Sequence, residues 1–127
     1  VGVMGAGLAL GFAKRFPGLL ADYKAVCDKG LLTPETPYYW PISNQRGVLN
    51  VVTKLHWKDS STTTVVETSI AAIAHFVEEQ SPTSIAIPAL GCGLGGLDWL
   101  TVYGLMIKHL DRQWPTIVWI FPPITAT

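Results

Sequence analysis

Residues Pro88–Trp99 read PALGCGLGGLDW, and the inner GCGLGG fits the G-x-G-x-x-G pattern by which a loop cradles a pyrophosphate. A second cluster, GVMGAG with Gly2, Gly5 and Gly7, opens the chain and leads into a helical pattern. Glycine permits positive φ and close backbone approach, so successive N–H groups can converge on an anion, and a helix amino terminus adds partial positive charge. Gly93, in the middle of GCGLGG, is expected to need such a φ. Either loop alone reads equally well as a tight turn. Two of them on one rim of a small domain favour a ligand with two phosphates, held from opposite sides.

A nicotinamide dinucleotide does not fit. Its site needs an acidic residue at the end of the next strand, about twenty residues on, to hold the ribose hydroxyls. The next apolar run here, TIVWIF, ends in Phe121 and Pro122, and the loop lies late in the chain. Other reactive side chains are scattered. Cys27 and Cys92 have neither disulfide nor metal spacing, and His56, His75 and His109 form no ligand cluster with them. Cys92 lacks a neighbouring base and reads as a small buried residue, not a nucleophile. Asp98, just past the glycines, reads as a helix N-cap. Lys54 ends the apolar run VLNVVTK, where a lysine serves either as a solvated strand end or as a charge aimed into a site. Trp57, in the polar stretch LHWKDSST, suits stacking on a nucleobase or lying as a packing lid, and Lys58 suits a phosphate or water.

The elements that must position these groups follow from periodicity. LALGFAKRF and, after Pro17, GLLADYKAVCDKG read as helices, the second closed by Gly30. Residues 37–43 and 48–54 read as strands, the first kept near an edge by Pro41. TTVVETSIAAIAHFVEEQ keeps apolar residues at three-and-four spacing and reads as a long helix. Then come strand SIAIP, the glycine loop, helix LTVYGLMIKHL and strand TIVWIF. Trp40, Trp114 and Trp119 read as core. The order predicts an α/β sandwich with a mixed, mostly parallel central sheet covered on both faces, where ligands sit beyond the carboxyl ends of the strands. The chain has 127 residues, 49% of them hydrophobic, which is one domain's worth of core. Nine basic and nine acidic residues cancel, which argues against bulk nucleic-acid binding and leaves only a local site for it. No uncharged run free of Pro and Gly is long enough to span a membrane. Cysteine usage fits a reducing, cytoplasmic setting. The chain starts at Val1 directly on the first glycine loop, so a single domain over residues 1–127, trimmed at its amino end, is expected.

GVMGAGLALGFAKRFP, VVTKLHWK and IAIPALGCGLGGLDW together resemble the macrodomains, and within them the DNA ADP-ribosyl glycohydrolase antitoxins of the DarG type. The resemblance implies a three-layer α/β/α fold that binds ADP-ribose, with the diphosphate between two glycine loops. It assigns Val3, Met4, Gly5 and Gly7 to the distal ribose and diphosphate. It assigns Leu90, Gly91, Cys92, Gly93, Leu94, Gly95 and Gly96 to the second phosphate loop, and Phe121 to the adenosine. Lys54 takes the place of the catalytic lysine, and His56, Trp57 and Lys58 become candidates for nucleobase or DNA contact. The family's two strands before the opening loop are not in this sequence. Gly95 stands where the related terminal ADP-ribose protein glycohydrolases carry an aspartate. The resemblance implies removal of ADP-ribose from modified bases of single-stranded DNA, as antidote to a DNA-modifying toxin that is a candidate partner. It implies no metal or other cofactor and no membrane. A reader module that binds ADP-ribose without turnover, and a hydrolase of protein-linked ADP-ribose, are the alternatives.

Overall fold

The computed structural model describes residues 14–16, 18–55, 60–93 and 95–124. Within them the chain runs α1 (Leu19–Asp28), β1 (Tyr38–Pro41), β2 (Gly47–Asn50), α2 (Thr63–Gln80), β3 (Ser84–Ile87), α3 (Trp99–Leu110) and β4 (Ile117–Ile120). α2 follows its sequence pattern closely. Thr62, extended at φ −114° and ψ 151°, caps it by accepting from the Val65 N–H at 3.2 Å. Val66, Ile70, Ile73 and Val77 fall on one face and are buried, while Glu78, Glu79 and Gln80 end the helix in solvent. Ser81 stops it in the left-handed region, φ 45°, with its N–H on Val77 O at 2.9 Å. α3 lays Val102, Met106 and Leu110, four apart, against the same cluster. At the periphery of this helix pair Glu67 accepts from Lys108 at 2.8 Å and meets His109 Nε2 at 2.8 Å, and Arg112 pairs with Glu78. Lys108 and His109 together hold the Glu67 carboxyl below the usual carboxylate range, chiefly through these hydrogen bonds.

β3 and β4 are parallel, Ser84 opposite Ile117 and Ile87 opposite Ile120, and α3 supplies the crossover that parallel pairing requires. Leu49, Val51, Ile85, Val118 and Ile120 pack against the α2–α3 cluster, so the core lies between strands and helices. β1 and β2 are antiparallel, from Tyr38 opposite Asn50 to Pro41 opposite Gly47, closed by the Ile42 N–H on Arg46 O at 2.9 Å. Gly47 lets the tip of the Tyr39 ring lie over the strand, where a Cβ would make the ring turn aside. Both ladders are shorter than their apolar runs. β2 stops at Asn50, whose Nδ2 donates to Tyr38 O at 3.2 Å, and residues 51–54 continue outside the ladder. Trp119 is not core: it is 55% exposed on β4, beside the equally exposed Ile117 and Phe121. Trp114 is half-buried against the core, and Trp40 is half-buried apart from it, its indole N–H donating to Asp22 at 2.7 Å. Among the described residues no helix is long and apolar enough to cross a membrane.

Candidate functional site

The second glycine loop begins where β3 ends. Leu90 is buried in the core, and from there the backbone folds onto itself: Cys92 N–H on Ala89 O at 3.2 Å, Gly96 N–H on Gly93 O at 3.1 Å, and Leu97 N–H back to Gly91 O at 2.9 Å. Gly91 (φ +74°) and Gly96 (φ +77°) make the left-handed turns. Gly93, expected to need positive φ, does not have it. Its distinction is position: among the described residues a Cβ built on Gly93 meets nothing within 4 Å, whereas one on Gly91 meets Leu97 at 2.9 Å, Val66 at 3.0 Å and Ser61 at 3.2 Å. One on Gly95 would overlap the Ser61 hydroxyl. The loop therefore has a packed inner side and an open side, and Gly93 lies on the open one. The packed side also accounts for Gly95, since no carboxylate-bearing residue fits there without displacing Ser61.

The amino end of α3 does not lend its charge to a ligand as the sequence suggested. Asp98 occupies it, with Oδ2 accepting from Thr101 N and Thr101 Oγ1, both at 3.1 Å. The N-cap expectation for Asp98 holds, and an anion on this loop would rest on backbone amides. Burial, reinforced by the Asp98 charge, pushes the Cys92 thiol up, so it stays protonated near neutrality, which fits a packing role.

Lys54 is half-buried four residues beyond β2, where the Ser69 hydroxyl ties the strand extension to α2 by donating to Val52 O. With Leu55, Ser60, Thr62 and Val65 it lines a cavity of about 200 Å³. Thr62 and Val65 belong to the start of α2, and Val66, one residue on, touches the back of Gly91. The Lys54 cavity and the glycine loop thus meet at one helical turn. Ser61 completes the junction, and sequence reasoning missed it. Its N–H donates to Gly95 O at 3.0 Å and its hydroxyl is buried. Within the run SSTTT nothing distinguishes it from its neighbours. Phe121, 53% exposed, directly follows β4, and its N–H donates to Ile87 O at 3.0 Å. Parallel pairing therefore brings it to the strand end from which the glycine loop departs. A larger cavity of about 340 Å³, lined by Met106, Asp111, Arg112, Thr116 and Val118 among others, flanks α3 and β4 and shares no residue with these groups. Among the described residues no three metal-binding side chains cluster. Val3, Met4, Gly5, Gly7, His56, Trp57, Lys58 and Leu94 lie outside the described residues.

Comparison with known proteins agrees with this geometry. The family model of the Macro domain matches residues 1–106. The DNA ADP-ribosyl glycohydrolase of Thermus aquaticus is 32% identical over 127 residues, covering 98% of this chain and 35% of that protein. The chain spans about a third of the length of the curated relatives it matches. The solved macrodomain of Mycobacterium tuberculosis DarG superposes with a TM-score of 0.90 at 29% identity, covering 98% of this chain and 84% of that one. The structure of Thermosipho africanus DarTG in complex with ADP-ribose gives 0.88 at 33% identity, covering all of this chain (100%) and 36% of that one. By match, fold and loop geometry alike, the chain belongs to the Macro domain family.

Proposed function

We propose that residues 1–127 form one macrodomain that acts as an ADP-ribosyl glycohydrolase on ADP-ribosylated bases of single-stranded DNA, reversing the work of a DNA-modifying toxin. The observation that carries the reading is the meeting of the Gly91–Gly96 loop and the Lys54 cavity at the first turn of α2. The names of the relatives, DNA ADP-ribosyl glycohydrolase and, in one case, a fusion with the transferase, support the reaction and the partner. The diphosphate rests on loop amides at the open face around Gly93, and Phe121 flanks the adenosine. Val3, Met4, Gly5 and Gly7 supply the opposing loop.

In that pose the bond to be broken lies towards Lys54. Cleavage breaks the bond between the anomeric carbon and the base nitrogen, and a water oxygen takes the base's place on that carbon. The transition state puts positive charge on the ribose and negative charge on the departing base. The Lys54 ammonium stabilises that anion and gives it a proton, while the deprotonated amine would instead attack the carbon. His56, Trp57 and Lys58 follow Lys54 after Leu55 and hold the base and its strand. No metal or further cofactor is called for, and the reaction belongs in the cytoplasm, where DNA is the substrate. The test offers ADP-ribosylated single-stranded oligonucleotide and ADP-ribosylated protein to the chain and measures ADP-ribose release. Release from DNA is expected. Release from protein alone would move the activity to protein-linked ADP-ribose, and binding of free ADP-ribose without release from either would make the chain a reader.

A further inference from the structure

Ser61 is 5% exposed, and its Oγ is the one buried side-chain polar atom among the described residues with no hydrogen-bond partner. A buried hydroxyl left unpaired costs stability, and alanine would fill the same place without that cost. Ser61 also shapes the loop. Its Cβ lies 2.9 Å from a Cβ built on Gly95 and 3.2 Å from one built on Gly91, and its hydroxyl, together with the Gly91 carbonyl oxygen at 2.5 Å, closes the space at Gly95. Its own N–H holds Gly95 O at 3.0 Å. On either side in sequence, Ser60 and Thr62 face the Lys54 cavity. One residue thus abuts the diphosphate loop while its neighbours border the cavity of the reactive lysine.

We propose that Ser61 is a positioning residue: it sets the curvature of the Gly91–Gly96 loop from behind, and its hydroxyl gains its missing partner from the loop backbone when a diphosphate is seated. The proposal rests on the reading of the loop as a diphosphate site. It explains why an unpaired hydroxyl stands in a packed junction, since a residue that serves the ligated state is not selected for stability of the empty one.

Two variants of the chain, Ser61→Ala and Gly95→Ala, are compared with wild type by calorimetric titration with ADP-ribose and by thermal melting. Ser61→Ala should melt at or above the wild-type temperature yet bind ADP-ribose about tenfold more weakly, the size of one neutral hydrogen bond. Gly95→Ala, whose methyl meets both the Ser61 hydroxyl and the Gly91 carbonyl oxygen, should lose binding. Ser61→Ala that binds within about twofold of wild type overturns the assignment, twofold being small beside one hydrogen bond. Loss of binding in step with a lowered melting temperature overturns it too. Wild-type protein that does not bind ADP-ribose overturns the diphosphate reading itself, a different result from wild-type binding that Ser61→Ala leaves unchanged.

Discussion

The Gly91–Leu97 loop and the Val51–Leu55 segment border the same turn of α2 but are built on opposite plans. The loop closes on itself through backbone hydrogen bonds and is backed by Val66, Leu97 and Ser61, with Gly93 on its open side. The segment leaves the β2 ladder at Asn50, is tied to α2 by the Ser69 hydroxyl, and presents the Lys54 side chain to a cavity. Recognition built from backbone is fixed before the ligand arrives and insensitive to side-chain identity except where bulk intrudes. Chemistry built on one side chain is lost with that side chain. Binding and turnover should therefore separate cleanly by mutation.

Lys54→Ala tests the separation most severely. Release of ADP-ribose from an ADP-ribosylated oligonucleotide, in single-turnover kinetics, should fall about 10²- to 10⁴-fold, the usual contribution of a placed proton donor. Affinity for free ADP-ribose, by calorimetry, should change little. Equal losses in both would mean that Lys54 holds the ligand and that the two regions are one. Gly93→Val is the reciprocal experiment. Among the described residues nothing lies within 4 Å of a Cβ at this position, so the melting temperature should stay near wild type while ADP-ribose binding disappears. Normal binding by this variant would reduce the loop to a turn.

Gly91→Ala probes the packed side. With φ at +74° and Leu97, Val66 and Ser61 against the added methyl, the fold itself should lose about 1–3 kcal/mol, measured by denaturant melts. A variant as stable as wild type would show that the loop is not pinned as described. Asp98→Ala should cost about 1 kcal/mol, the value of an N-cap, and leave ADP-ribose affinity intact or slightly raised, because the amino end of α3 loses its own anion. A sharp fall in affinity there would place Asp98 at the ligand and undo its assignment as a cap.

Much of this was legible in the chain. The boundaries of α2 follow from Val66, Ile70, Ile73 and Val77 with Thr62 before them, because a one-sided helix buried along one stripe leaves its period in the sequence. The glycine loop was visible because only glycine serves at positive φ, although the pattern did not say which glycines, and Gly91 and Gly96 turned out to carry that demand instead of Gly93. The strands were overread at their ends, since an apolar run records burial and not ladder pairing. β2 stops at Asn50 although Val51 still packs on the core. Trp119 misled for a related reason: an apolar residue on a strand reads as core whichever face it takes. Ser61 was illegible, because its importance comes from Gly95 approaching it across a fold in which thirty-odd residues intervene. No local spacing encodes that approach.

The hydrogen bond from Ser61 N–H to Gly95 O joins a residue just before α2 to one in the loop between β3 and α3. Its donor can exchange its proton with solvent only when those two segments part. In deuterated buffer that single amide becomes a clock for the junction: its exchange rate reads the free energy of lifting the loop off the helix, separately from unfolding of the core. A seated diphosphate should slow that clock, while the amides in the middle of α2 keep the time of the whole domain.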